Sequence, residues 1–488
     1  MNFLFSSLRV FFCVGVFFSA LSFGGNTLAS DLPDLGESSR AELSPQMEHR
    51  IGQSIMNQIR LHEPSYVDDP DVGDYLATLG RRLVLASDSP AGNFHFFAIR
   101  DNTVNAFAMF GGFIGVNTGT ILTAQNESEL AGVISHEIAH VTQNHLARQI
   151  AKEKQNTIPS LIAMAIGVLA ARSNSSVAAG MVTSAQAGLI QAQLAYTRDF
   201  EREADRIGFQ SLEKAGFDVN GMADFFERLQ KAGRLYEHNA PVYLRSHPLT
   251  LERISDMQNR AQETHYRQIV SSLDFHLVRA KLRAQMGQPK EAVAEFERSL
   301  REKKYISQVA AQYGLSYALL RARDVAGARR ASEGLRDDKN SAPMIAVLLA
   351  DVAAQSGNSS EAEKIYREAL SRFPQSRSLM YGYIGLLFDT RAYSQALPFI
   401  ETQLQRDYLD YKLHGWQARI CAELGRRLQQ HRAQAEYYFL QGQLGQAIEQ
   451  LQFAQQATDG DFYEQSAVDA RLRELRRLQM EEDKERRG

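Results

Sequence analysis

The chain has 488 residues, too many for one ordinary core, so it must divide into two or three domains. Its 44% hydrophobic and 23% charged content is that of a folded globular protein, and a formal net charge of −3 implies no basic face for nucleic acid. The N-terminus is different in kind. Arg9 is the single charge in residues 1–30, Val10 to Phe23 is an apolar run, and Thr27-Leu28-Ala29-Ser30 supplies small residues for cleavage. That run is short for a membrane span, so 1–30 reads as a signal peptide cut after Ala29 or Ser30, with an uncleaved anchor as the alternative. Cys13 follows Phe11-Phe12 rather than the small residues of a lipoprotein signal. Cys421, read as a packing residue, is then the one cysteine of the exported chain, and no intrachain disulfide can form. A disulfide-free exported chain suits a bacterial periplasm.

Met47, Ile51, Ile55 and Ile59 recur at helical spacing, and after the Asp68-Asp69-Pro70 turn so do Val72, Tyr75, Leu76, Leu79 and Leu83. Two strand-like runs follow, 94–99 and 105–122, the second interrupted at Gly111-Gly112, where a bend or bulge is expected. A strand edge beside a catalytic centre can take an extended peptide as an added strand. The plainer alternative is that these strands only cover the next helix.

That helix carries the chemistry. Asn126 and Glu129 read as an N-cap with its capping-box partner, and Leu130, Val133, Ile134, Ile138 and Val141 form an apolar stripe. Within it, His136-Glu137-x-x-His140 places two imidazoles one turn apart on one face, able to share a Zn²⁺, with Glu137 beside them to act on a water. Two histidines do not complete a catalytic site; a third protein ligand and an open position are needed. The pattern that continues with Gly and a third His is excluded, because Gln143 and Leu146 stand at those places. The better source is the run 196–205, where Glu201 and Asp205 share a helical face. One carboxylate there can bind metal while the other accepts the spare N–H of a ligating histidine.

His136-Glu137-x-x-His140 followed by Glu201-x-x-x-Asp205 resembles the gluzincin peptidases that include the CAAX prenyl endopeptidases and HtpX. The likeness extends to Asn105-Ala106-Phe107-Ala108 and Gly111-Gly112 upstream, and to Ser246-His247-Pro248 with Arg253-Ile254 downstream. A departure is Met109-Phe110 before the glycine pair, where many relatives have proline. The resemblance implies one Zn²⁺ per chain held by His136, His140 and Glu201, Glu137 as general base, and Asp205 behind the ligands. It also implies that His247 lies near the metal, with two roles open: a donor to the oxyanion, or a fourth ligand that keeps the enzyme latent.

In membrane-embedded relatives the region between the two metal-site helices crosses the bilayer. Here 158–171 is about 14 residues, short of the roughly 20 a span needs, and 177–194 is broken by Thr183, Ser184, Gln186 and Gln191. Core or lid helices are the preferred reading of 158–194, with peripheral membrane contact as the alternative.

Beyond Thr264 the chain becomes periodic. Ala292, Ala328, Ala362 and Ala396 are 36, 34 and 34 apart, the period of a tetratricopeptide repeat, and Gly357, Tyr366, Ala369 and Pro374 fit its second helix. Ala447 lies 51 beyond Ala396, so the last repeat is irregular or includes an extra helix. About four repeats between roughly 275 and 480 are expected, building a curved surface for protein partners, with a charged C-terminal helix.

The expected protein is mainly α: a zincin-like α+β metallopeptidase domain with a small β-sheet at 31–270, then an α-solenoid of tetratricopeptide repeats at 271–488. The order of parts most resembles the repeat-bearing periplasmic members of the family. That likeness implies unfolded or stalled outer-membrane proteins as substrates and the β-barrel assembly machinery as a partner of the repeats. The rival reading is a non-catalytic assembly chaperone or scaffold with a vestigial zinc site. Glu137 speaks against it, since a structural zinc site has no use for that carboxylate.

Overall fold

The computed structural model describes residues 44–153, 197–234, 242–264, 269–337 and 341–487; the signal-peptide reading of 1–30 and the segment 158–194 lie outside the described residues. Helix α1 (Pro45–His62) begins where the Ser44 hydroxyl accepts the Met47 N–H and Pro45 fills a position that needs no amide hydrogen. Helix α2 (Pro70–Leu85) begins the same way, on Asp69 and Pro70. The apolar stripes read from the sequence are the buried faces: Ile51, Ile55 and Ile59 on α1, and Val72, Tyr75, Leu76, Leu79 and Leu83 on α2.

Three strands form the sheet: β1 (His95–Ile99), β2 (Ala106–Ala108) and β3 (Phe113–Asn117), in the order β1-β3-β2. β1 runs parallel to β3, and β2 pairs antiparallel with β3, so β2 is an edge. The bend between β2 and β3 is a single 3₁₀ turn in which Gly111 and Gly112 have φ of 70° and 81°. A side chain is disfavoured there twice over, because a Cβ on Gly112 would also lie 2.0 Å from the Asn93 carbonyl oxygen. The strand-like run does not continue to 122. It gives way at Thr118 to a short helix, α3 (Thr118–Thr123), because the Thr118 and Thr120 hydroxyls and the Gly119 N–H bond the backbone of Asp101 and Asn105 instead of a neighbouring strand.

Helix α4 (Glu127–Thr142) is buried on all sides from Glu127 to His140, which makes it the axis of the N-terminal half. The Asn126 cap is present, accepting the Glu129 N–H at 3.0 Å. Glu129 does not close the box on Asn126; its carboxylate takes the Gln125 N–H and the Arg228 guanidinium. Around α4 lie α5 (His145–Glu153), α6 (Arg198–Lys214), α7 (Asn220–Arg234), α8 (Val242–Ser246) and α9 (Leu251–Glu263). Gly208 sets how closely α6 approaches, since a Cβ there would meet the Ser135 carbonyl and the His136 backbone at 3.0–3.1 Å. Among the described residues no helix is long and apolar enough to cross a membrane.

From Leu273 to Arg487 the chain is a stack of antiparallel helices, α10 (Leu273–Gln285), α11 (Pro289–Arg301), α12 (Gln308–Arg321), α13 (Val325–Ser332), α14 (Pro343–Gln355), α15 (Ser359–Arg372), α16 (Arg377–Asp389), α17 (Tyr393–Arg406), α18 (Tyr411–Glu423), α19 (Arg427–Leu440), α20 (Leu444–Gln456) and α21 (Phe462–Arg487). The anchor alanines Ala292, Ala328, Ala362, Ala396 and Ala447 are all buried, on every second helix as far as α17. The 51-residue step to Ala447, which lies on α20, holds two helices, α18 and α19, where a regular step would hold one. Of the two readings of that spacing, an irregular repeat or an extra helix, the extra helix is the one present. Cys421 on α18 is fully buried among apolar neighbours, a packing residue as read.

The two halves share a core. A continuous apolar cluster runs from Val67 on the N-terminal side through α2, α4 and α7 to Val352 on α14, crossing the junction near 270. Glu127, on α4, accepts the Ser272 N–H, the Ser272 hydroxyl and the Tyr75 hydroxyl. Further along, the acidic turn that starts α2 meets cations of three repeat helices: Lys281 with Asp69 and Asp71, Arg377 with Asp74, and Lys412 with Asp68, at 2.6–2.8 Å. Lys281 and Asp71 are buried, so their pairing fixes geometry more firmly than surface ion pairs do.

Candidate metal centre

Helix α4 presents His136 and His140 on one face, and their Nε2 atoms approach to 3.0 Å. Helix α6, capped by Thr197 through the Phe200 N–H, lays Glu201 and Asp205 against them. Glu201 Oε2 is 3.5 Å from His136 Nε2, and Glu201 Oε1 is 3.4 Å from His140 Nε2. A fourth donor comes from the loop after α8. Pro248 ends that helix, and His247, its N–H bonded to the Tyr243 carbonyl, brings Nδ1 to 3.3 Å from His136 Nε2 and 3.0 Å from Glu201 Oε1. All four residues are buried, and their donor atoms lie within 4.8 Å of one another.

These distances fit a metal ion. Four donors about 2.0–2.1 Å from a tetrahedral zinc would be separated by about 3.3–3.4 Å. Nitrogen and carboxylate atoms converge here at 3.0–3.5 Å, close to that spacing. The donor set, three imidazoles and one carboxylate, is one that zinc accepts.

Behind the donors stands a second layer. Asp205 Oδ1 is 3.0 Å from His136 Nδ1, where it can accept the proton that nitrogen carries when Nε2 is given to a metal. Arg253, on α9, grips Asp205 with two bonds of 2.6 and 2.8 Å, reaches Glu201 Oε2 at 2.7 Å and donates to the Pro248 carbonyl. Burial by itself would raise the Asp205 carboxyl, but Arg253 and His136 hold it below the ordinary value. Glu201 likewise stays far below the carboxylate range in spite of its burial, because three imidazoles surround it. Burial would depress His136, yet Asp205 and Glu201 raise it to about 9, whereas burial keeps His140 well below the ordinary imidazole value. Glu201 and Asp205 thus stay ionised in a buried site, each beside imidazole and guanidinium partners.

Glu137 lies beside the donors on α4, and burial raises its carboxyl. Neither of its oxygens has a hydrogen bond of good geometry. The Ala108 backbone on edge strand β2 and His247 Nε2, 3.6 Å away, are what face it. A buried carboxylate bonded to no other side chain is available for chemistry.

All six residues proposed from the sequence come together: His136, Glu137, His140, Glu201, Asp205 and His247. Sequence reasoning did not assign Arg253, His145 or Tyr243, whose ring stacks on His247 at 4.6 Å. Arg253 was visible only as part of a family pattern. His145 carries a sequence signal, a third histidine five residues beyond His140. No sequence feature marks Tyr243.

A model of peptidase family M48 matches residues 71–261, and a tetratricopeptide-repeat model matches 277–342 and 347–408. The β-barrel assembly-enhancing protease of Escherichia coli (strain K12) is 32% identical over 459 residues, covering 92% of either chain. A Vibrio cholerae protein named for the same activity is 38% identical over 292 residues, 59% of this chain and 60% of that one. The mitochondrial metalloendopeptidase OMA1 of Schizosaccharomyces pombe is 27% identical over 199 residues, 40% of this chain and 55% of that one.

Proposed function

Because this chain belongs to peptidase family M48, alongside the β-barrel assembly-enhancing proteases, we propose that it is a periplasmic zinc endopeptidase that cuts unfolded or stalled outer-membrane proteins and assists their assembly. The observation that carries this reading is the convergence of three imidazoles and a carboxylate beside a buried Glu137 that bonds no other side chain. A vestigial site in a chaperone would have no reason to keep that glutamate buried.

His136, His140 and Glu201 hold the ion. When bound, Zn²⁺ polarises the scissile carbonyl and makes a water acidic enough to react near neutral pH. Glu137 accepts the proton of that water as it attacks, then delivers it to the leaving amine. Burial raises its carboxyl, which makes the carboxylate a stronger base for the first transfer. Asp205 keeps the His136 proton on Nδ1, and Arg253 holds Asp205 and Glu201 in register. The edge of β2, whose Ala108 faces Glu137, supports an extended substrate pairing as an added strand, which only an unfolded segment can do. The repeats face protein partners, the β-barrel assembly machinery among them, and the leader at 1–30 delivers the chain to the periplasm.

His247 has two candidate roles, and the geometry favours one. Its Nδ1 takes the fourth place around the ion site while its Nε2 faces Glu137, so the ring stands where the attacking water would lie. We read it as a latch that holds the enzyme latent, stacked on Tyr243 until substrate or partner draws the loop away. Cleavage of an unfolded outer-membrane barrel protein, with casein as a generic control, tests this in the parent and in His247→Ala. The latch predicts a several-fold rise on both substrates with added self-cleavage. Reduced turnover would assign His247 to the oxyanion instead, and unchanged turnover would reject both roles.

A further inference from the structure

His140 has two ring nitrogens, and the proposed zinc site uses one. The other, Nδ1, lies 2.9 Å from Nδ1 of His145, a fully buried residue at the start of α5. On its far side His145 Nε2 is 3.1 Å from Glu203 Oε2, and Glu203 is held at 3.0 Å by Arg148. His145 stacks on Phe200 with ring centres 4.5 Å apart and 13° between planes, and Arg148 packs over the same ring at 4.6 Å, so the imidazole plane is fixed.

Only one arrangement of protons satisfies this chain. If His140 gives the Nε2 lone pair to a metal, its proton must be on Nδ1. His145 Nδ1 must then accept it, and the His145 proton is on Nε2, aimed at the Glu203 carboxylate. A His145 protonated on both nitrogens would set two N–H groups against each other at 2.9 Å. We infer that His145, oriented by Glu203 and Arg148, is a positioning residue that fixes the tautomer and ring plane of His140 for metal binding. It does for His140 what Asp205 does for His136, with a neutral imidazole in place of a carboxylate. The difference has a use: α5 adds no further carboxylate to a site where Glu201, Asp205 and Glu137 already crowd together.

The inference rests on His140 being a ligand, and its test separates the two claims. Zn²⁺ affinity of the full chain is measured by competition with a chromogenic chelator, alongside thermal melting of the metal-free protein. Partners behind a ligating histidine typically carry about 10–100-fold in metal affinity. His145→Phe keeps the stack on Phe200 but removes the acceptor, and is expected to weaken zinc binding by about 10–100-fold. His145→Asn places Oδ1 where Nδ1 was and is expected to stay within a few-fold of the parent. Parent-like affinity in His145→Phe overturns the inference. So does equal loss in the Phe and Asn variants, or a loss that tracks the melting temperature of the metal-free forms, because packing alone would explain either. A parent chain that binds no zinc brings down the metal-site reading first and this inference with it.

Discussion

Glu137→Gln is expected to lower peptide-bond hydrolysis by about 10²–10⁴-fold, the usual contribution of a positioned general base, with zinc content unchanged. Glutamine has the shape of glutamate and cannot take the proton of the attacking water. Because neither Glu137 oxygen bonds another side chain, and a glutamine oxygen can still accept from the Ala108 backbone, the substitution removes no scaffold. It also relieves a buried charge, since burial already disfavours the ionised form, and so the variant should melt at or above the parent temperature. The check is turnover of casein beside metal analysis and a melting curve. Parent-like turnover would refute the mechanism, and loss of zinc with turnover would show that Glu137 is needed to build the site.

The second large effect is expected at Arg253, whose guanidinium is buried against two buried carboxylates, Asp205 and Glu201. Removing one partner of a buried ion pair strands the other, at a cost of about 3–5 kcal/mol. Arg253→Ala should lose about that much stability at pH 7, measured by denaturant unfolding with zinc removed so that ligand loss does not contribute. The pH dependence has a definite sign. In the parent, Asp205 titrates below its ordinary value, so its contribution is complete above the unfolded carboxyl pKa and is lost as pH falls through the lower folded value. In the variant burial is no longer opposed by Arg253, so ionisation of Asp205 costs stability above its new, higher pKa. The deficit should therefore shrink from pH 7 toward pH 4. A deficit below about 1 kcal/mol at pH 7, the range of exposed pairs, or one that widens toward acid, would count against this view of the second layer.

Much of this was legible in the sequence, for reasons that differ by feature. The candidate site residues could be read because helical geometry converts spacing into a shared face: His136 with His140 on α4, and Glu201 with Asp205 on α6. The repeats could be read because the anchor alanines keep a fixed period, and the extra helix near 420 appeared as a step of 51 residues. What could not be read depends on contacts between distant segments. The run 105–122 looks like one strand by composition, and only the bonds of Thr118 and Thr120 to residues 101–105 show why it turns helical after Asn117. Glu129 follows the capping-box rule by sequence, but Arg228, 99 residues away, draws its carboxylate elsewhere. Lys281, Arg377 and Lys412 look like ordinary solvated charges in a periodic helical array until α2 is seen to bring Asp68, Asp69, Asp71 and Asp74 against them.

The most direct test of the central claim is metal stoichiometry and proteolysis measured on the same purified full-length sample, before chelation, after chelation and after return of Zn²⁺. One zinc per chain is expected, with loss of casein cleavage in step with the metal and recovery when Zn²⁺ is restored. Cleavage that persists after the metal is fully removed would contradict that claim.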